Sequence, residues 1–206
     1  MLRASDVDEL YELMRSDEFF NDLRRGKNPL IPGEGLNSWP YLNPSGVFIV
    51  GEAPGADEVT ALRPFVGASG RMLRALMASI DLFAGGDMPN CWLTNAVKYR
   101  PPRNRTPTLV EIMKSRPYLR KEWALIGKPR VVVAVGSVAL TAIRGQQLGI
   151  SKYVGRPLVK ASTTIWPMFH PAFGLRGSEQ LRDTIEAHWL ALGEWLNDNN
   201  SRHSSR

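Results

Sequence analysis

Three polar residues of different chemistry each close a short apolar run: Glu52 after Val47-Phe48-Ile49-Val50-Gly51, Asn95 after Cys91-Trp92-Leu93-Thr94, and His170 after a run from Thr163 to Phe169. Runs of this kind read as buried strands, and open α/β sheets bind ligands at the carboxyl ends of their strands. A carboxylate, an amide and an imidazole delivered to one edge can converge on one pocket. In Gly51-Glu52-Ala53-Pro54-Gly55, Gly55 lets the backbone approach a ligand closely. Phe65, within Arg63-Pro64-Phe65-Val66-Gly67, offers an apolar face or is plain core. Lys98, Arg100, Arg103 and Arg105 are interleaved with Pro101, Pro102 and Pro107. Guanidinium groups on a proline-stiffened loop meet phosphates at a lower ordering cost; the alternative is a merely solvated basic loop.

These groups need a scaffold. Between the strands at 47–50, 91–95, 131–135 and 163–169 stand helical patterns: Met72, Leu73, Leu76, Met77 and Ile80 behind a Ser69 cap, and Val138, Leu140 and Ile143 after Gly136-Ser137. Thr108 and Glu111 form a capping box for a helix that Pro117 must interrupt, kink or restart. Alternating strands and helices predict a parallel sheet covered on both faces. Ser5 with Asp8 resembles another capping box, opening an amphipathic helix through Val7, Leu10, Leu13 and Met14. Residues 27–44 read as a crossing segment with Trp39 and Tyr41 packed under the loop, Gly85-Gly86-Asp87 as a break, and 145–157 as a loop or small hairpin. Leu181, Ile185, Trp189, Leu192, Trp195 and Leu196 describe a long C-terminal helix with both tryptophans in the core. The expectation is one domain over 1–196 and a polar, frayed tail over 197–206.

At 206 residues and 43% hydrophobic, the chain can bury a full core, and a net charge of +6 favours a polyanionic partner. The single cysteine, Cys91, excludes an internal disulfide and any cysteine-cluster metal site. There is no apolar stretch of about 18 residues and no leader pattern at Met1 to Arg15, so a soluble, intracellular, cytoplasmic protein is expected.

Gly-Glu-Ala-Pro-Gly at 51–55, Pro-Phe-Val-Gly at 64–67, Thr-Asn-Ala-Val-Lys at 94–98, Arg-Pro-Pro-Arg-Asn-Arg at 100–105 and His-Pro at 170–171 together resemble the uracil-DNA glycosylase superfamily. The likeness is greatest to the branch whose members usually carry an iron–sulfur cluster. The resemblance implies a three-layer α/β/α sandwich around a four-stranded parallel sheet, and cleavage of the N-glycosidic bond of uracil in DNA by a monomer. It further implies that Gly51, Ala53, Pro54 and Gly55 shape the base pocket, that Phe65 stacks on the extruded base, and that Asn95 reads its Watson–Crick edge. His170 would stabilise negative charge on uracil O2. Glu52, with Asn104 as a second candidate, would position the attacking water, and Glu58 would hold the loop. Lys98, Arg100, Arg103 and Arg105 would hold phosphates, and Phe173, Leu175 and Arg176 would enter the minor groove or fill the vacated stack.

Three departures qualify this. Where the branch places its cluster cysteines the chain has none at 18–21 and carries Tyr99 and Ser115, so no cofactor and no metal is expected. Ala172 replaces the usual serine after His-Pro, and Val59 stands where an acidic residue commonly follows Glu58. The competing readings are a DNA-binding member that has lost turnover and a glycosylase for another deaminated or modified base. A generic nucleotide-binding fold is disfavoured, because neither Gly-x-Gly-x-x-Gly nor a P-loop is present.

Overall fold

In the computed structural model, which describes residues 3–24, 28–35, 46–82, 90–127, 129–160 and 163–204, the apolar runs form one sheet. Its strands are β1 (Val47–Gly51), β2 (Trp92–Asn95), β3 (Val131–Val135), β4 (Leu158–Lys160) and β5 (Thr163–Met168). Their order is β2-β1-β3-β5-β4, with four strands parallel and β4 antiparallel to β5. The sheet therefore has five strands rather than four. β4 is three residues long, and its Val159 is 75% exposed at the rim, so it carries no apolar alternation to read.

The α-helices are α1 (Val7–Ser16), α2 (Asn21–Arg24), α3 (Ala56–Ala61), α4 (Ala68–Ala78), α5 (Leu109–Leu125), α6 (Ser137–Arg144), α7 (Pro171–Arg176) and α8 (Glu179–Ser204), with short 3-10 turns at Glu18–Phe20, Pro102–Asn104 and Ile150–Lys152. Alternation along β1 sends Phe48 and Val50 to one face, against core residues of α1, α5 and α6. Val47 and Ile49 point to the other face, against core residues of α4 and α8. Three layers result, as a parallel sheet buried on both faces requires.

Local signals shift by one residue in one place and by two in another. The α1 cap is Asp6, whose carboxylate accepts from the Glu9 N–H at 2.8 Å, while Ser5 donates to the Glu9 carboxylate from its N–H and hydroxyl at 2.6 and 2.8 Å. Gly67, not Ser69, precedes α4, and Ser69 lies in its first turn. Pro117 sits inside α5 without ending it; buried Ile112, Ser115, Tyr118, Leu119 and Glu122 on either side hold one helical path. Pro167 is accommodated in β5 beyond the last β4 pair, Leu158 with Ile165. α8 continues to Ser204, so the backbone is helical where a frayed tail was expected. Trp39, Tyr41 and Gly85-Gly86-Asp87 lie outside the described residues. Among the described residues, no helix is long and apolar enough to cross a membrane.

Candidate active site

Backbone pairing continues just past the strand ends and aligns the loops that follow. Gly51 is in register with Asn95, the Ala96 N–H donates to the Gly51 carbonyl at 2.9 Å, and the Val97 N–H donates to the Glu52 carbonyl at 3.1 Å. The third loop is brought to the same edge through Gly136, whose N–H donates to the Met168 carbonyl at 2.9 Å. Gly136 has φ +94°, and a Cβ there would stand 3.3 Å from the His170 Cβ, so both backbone and space favour glycine. A cavity of about 160 Å³ opens between these loops, walled by Ala53, Gly55, Glu58, Phe65, Asn95 and His170, with Ser69 and Gly70 at the start of α4. That is below the usual ~300–1,000 Å³ of drug-sized sites and suits one small ring.

Phe65 is held with unusual firmness for a loop residue. It is buried at 6% exposure with φ +56°, a conformation that costs a non-glycine residue about 1–3 kcal/mol. A Cβ on Gly51 would run into the Phe65 ring and stand 2.6 Å from Asn95 Oδ1; one on Gly70 would run into the Phe65 backbone. The Glu58 carboxylate accepts from the N–H groups of Gly55, Val66 and Gly67 at 2.9, 2.9 and 2.8 Å, the loop-holding role expected for it. Arg74 donates to the carbonyls of Phe65 and Pro64, each at 2.9 Å, and pairs with the buried Glu34, which also takes Arg63 at 2.9 Å. Glu34 and Arg74 were not singled out in the sequence; Glu34 lies in irregular chain before the first strand, where no periodicity marks it.

The three polar groups differ in how they are prepared. No hydrogen bond involves the Asn95 amide among the described residues, although Asn95 is only 4% exposed, so its donor and acceptor are free for a ligand. His170 caps α7: its Nδ1 accepts from the Ala172 N–H at 3.2 Å, which assigns the proton of the neutral ring to Nε2. Burial, and then the nearby Arg176 charge, hold this imidazole below its ordinary value of 6.5, favouring that neutral form. The bond to Nδ1 comes from the backbone, so Ala172 in place of serine leaves it intact. Glu52 is not among the cavity walls; it stands beside Ala53, half-buried, and burial raises its carboxyl above the ordinary 4.5.

The remaining candidates lie farther out. Asn104 is not among the cavity walls; it is exposed, with φ +57°, and its side-chain oxygen accepts from Arg100 Nε at 2.5 Å. Arg103 is exposed, and Arg105 is engaged with both oxygens of Glu111 at 2.8 and 2.6 Å. Phe173 and Leu175 are exposed on α7 at 52% and 45%, beside exposed Arg176. Lys98 requires a correction. It is 1% exposed and points inward, donating to Glu122 Oε2 at 2.6 Å, to the Asn95 carbonyl at 3.0 Å and to the Thr94 hydroxyl, so it presents no charge to a phosphate.

Tyr99 and Ser115 also point inward. The Phe20 ring packs against Phe19, Tyr99 and Tyr118 at 5.1, 5.6 and 5.8 Å, and the Tyr118 hydroxyl donates to Asp17 at 2.8 Å. Ser115 Oγ is buried without a partner among the described residues. Cys91 is buried on the opposite face of the sheet, against the α4 and α8 side. This donor set of rings, a phenol and a lone hydroxyl does not fit an iron–sulfur cluster, which thiolates must hold.

A family model described as the uracil DNA glycosylase superfamily matches residues 40–192. The chain is 35% identical over 180 residues to a type-4 uracil-DNA glycosylase of Pyrobaculum aerophilum, covering 83% of this chain and 85% of that protein. It is 31% identical over 187 residues to the type-4 enzyme of Archaeoglobus fulgidus, covering 84% and 85%. With that of Thermotoga maritima it shares 36% identity over 142 residues, covering 68% and 71%. Similarity of this extent, over the segment that builds the cavity, means that the chain belongs to the uracil-DNA glycosylase superfamily.

Proposed function

We propose that the protein hydrolyses the bond between deoxyribose C1′ and N1 of uracil in DNA after the nucleotide has been turned out of the stack. One observation carries this reading: an amide and an imidazole Nε2–H, both without a hydrogen-bond partner among the described residues, wall the same small cavity beside a rigidly held aromatic ring. An amide offers one donor and one acceptor, which match uracil O4 and N3–H and mismatch the reversed pattern of cytosine. Phe65 stacking offsets part of the unstacking cost, with base–aromatic contacts worth about 1–3 kcal/mol. As the C1′–N1 bond breaks, its electron pair passes to the uracil ring, and His170 Nε2–H stabilises the charge that develops on O2. Water then bonds to C1′, oriented by Glu52, and its proton is released to solvent or to the departing base. Arg100, Arg103, Arg105, Phe173, Leu175 and Arg176 are placed on the DNA side of this reading. DNA, single- or double-stranded, is the partner of a monomer. The aromatic packing around Phe20 replaces the cluster of the related branch, so the reaction proceeds without one.

Alkaline cleavage of a labelled oligonucleotide with one uracil, single-stranded or opposite guanine, tests the reading. Wild type cleaves, and Phe65→Ala lowers the rate by about 5- to 150-fold through the lost stacking. Folded wild type that binds DNA without cleaving it would instead support the binder or a different base.

Glu52 adds a pH signature. Its carboxyl is raised, so the ionised form that orients water is lost as pH falls through a value above 4.5. The single-turnover rate should show an acid limb above pH 4.5 that Glu52→Gln removes, leaving a lower, flatter profile. A limb unchanged in Glu52→Gln would exclude Glu52 as its source.

A further inference from the structure

A fully hydrogen-bonded charged group stands in the interior that the reaction does not use. Lys98 Nζ has three acceptors: Glu122 Oε2 at 2.6 Å, the Asn95 carbonyl at 3.0 Å and the Thr94 hydroxyl. Glu122, on α5, is fully buried, and its other oxygen accepts from the Tyr11 hydroxyl at 2.7 Å and Trp92 Nε1 at 2.8 Å. The Tyr11 hydroxyl in turn accepts from the Gly33 N–H at 2.7 Å. Burial pulls the lysine below its ordinary value, and Glu122 opposes that.

Buried ion pairs are often no more stabilising than apolar residues of the same volume, so stability alone is a weak reason for this one. Its position supplies another. Asn95 is the residue whose amide stands free in the cavity, and its peptide is held from two sides. The following residue donates to Gly51 across the sheet, and the Asn95 carbonyl is taken by Lys98. That carbonyl belongs to the last residue of β2, and the peptide it closes is held on its N–H side by Gly51, so Lys98 supplies the hold on its carbonyl side. A small rotation of this peptide would swing the amide across a cavity sized for one ring.

We propose that Lys98, held by Glu122, is a positioning residue for Asn95: a buried ion pair that touches neither DNA nor base fixes the peptide carrying the base-reading amide. The inference rests on the glycosylase reading above. It assigns to the pair recognition of the pyrimidine edge and not grip on the DNA backbone.

The test compares wild type with Lys98→Met/Glu122→Gln, which removes both charges and leaves neither alone. Three readouts are taken: inhibition by free uracil, the single-turnover rate on uracil-containing single strands, and the dissociation constant for undamaged DNA. The inhibition constant is expected to rise and the rate to fall by about 10- to 100-fold, as for a misplaced reacting group, with DNA affinity within about two-fold. A folded double variant with uracil inhibition unchanged would overturn the proposal, as would equal losses in all three readouts. Should that variant not fold, Glu122→Gln, which keeps the shape and an acceptor for Tyr11 and Trp92 but removes the charge that holds Lys98, carries the test with weaker uracil inhibition at unchanged DNA affinity expected and no change overturning it. If wild type releases no uracil, the glycosylase reading itself fails; if it does and the variants match it, only the positioning role falls.

Discussion

His170→Ala is expected to lower the single-turnover rate of uracil release by about 10²–10³-fold, the loss found when one preorganised donor to a developing oxyanion is removed. The size follows from the setting. The ring is largely enclosed, its Nδ1 is committed to the Ala172 N–H, and burial keeps it neutral, so Nε2–H is a fixed dipole in a site from which a bound base excludes water. Alanine also uncaps α7, worth about 0.5–2 kcal/mol, and this could be mistaken for the catalytic effect. His170→Asn separates the two: its shorter side chain can still accept from the Ala172 N–H but does not reach as the ring does. A rate as low as in His170→Ala with the melting temperature restored would assign the loss to Nε2. A rate near wild type in either variant would remove His170 from the reaction.

Glu122→Ala is expected to be the most destabilising single change, by about 3–5 kcal/mol, because it strands the Lys98 ammonium in the interior. It also leaves the Tyr11 hydroxyl and Trp92 Nε1 without their acceptor. For a chain of this size each kcal/mol lowers the melting temperature by about 2–4 °C, so a fall of roughly 6–20 °C should be seen by calorimetry. Removing both charges together should cost less than this. A melting temperature within about 2 °C of wild type in Glu122→Ala would mean that the pair is far less enclosed than its geometry implies.

How legible this was in the sequence depends on the range of each interaction. The runs Val47–Val50 and Val131–Val135 are buried on both faces, and continuous apolar, mostly β-branched sequence declares that directly. That Glu52, Asn95 and His170 follow strands to one edge was legible because strand ends share an edge in any parallel sheet, although only Asn95 and His170 wall the cavity. Lys98 differs from the expectation because a charge in a basic stretch reads as exposed, while the partner that buries it lies 24 residues away on a helix, outside any local pattern. The run Ala96-Val97-Lys98-Tyr99, apolar on both sides of the lysine, was the available signal, since all four residues are buried. Glu34 with Arg74, 40 residues apart, escaped for the same reason. The differences at Asp6 and Gly67 are shifts of one and two residues between nearby capping candidates, which local chemistry hardly separates.

Release of the free base is the most direct measurement. Wild-type protein is incubated with a single-stranded oligonucleotide carrying one uracil, and the small-molecule fraction and the strand are both examined by mass spectrometry. The predicted result is free uracil in step with a strand that is intact except for one abasic site, with cytosine and thymine strands untouched. Recovery of the uracil strand bound but unchanged, or a broken strand without free base, would contradict it.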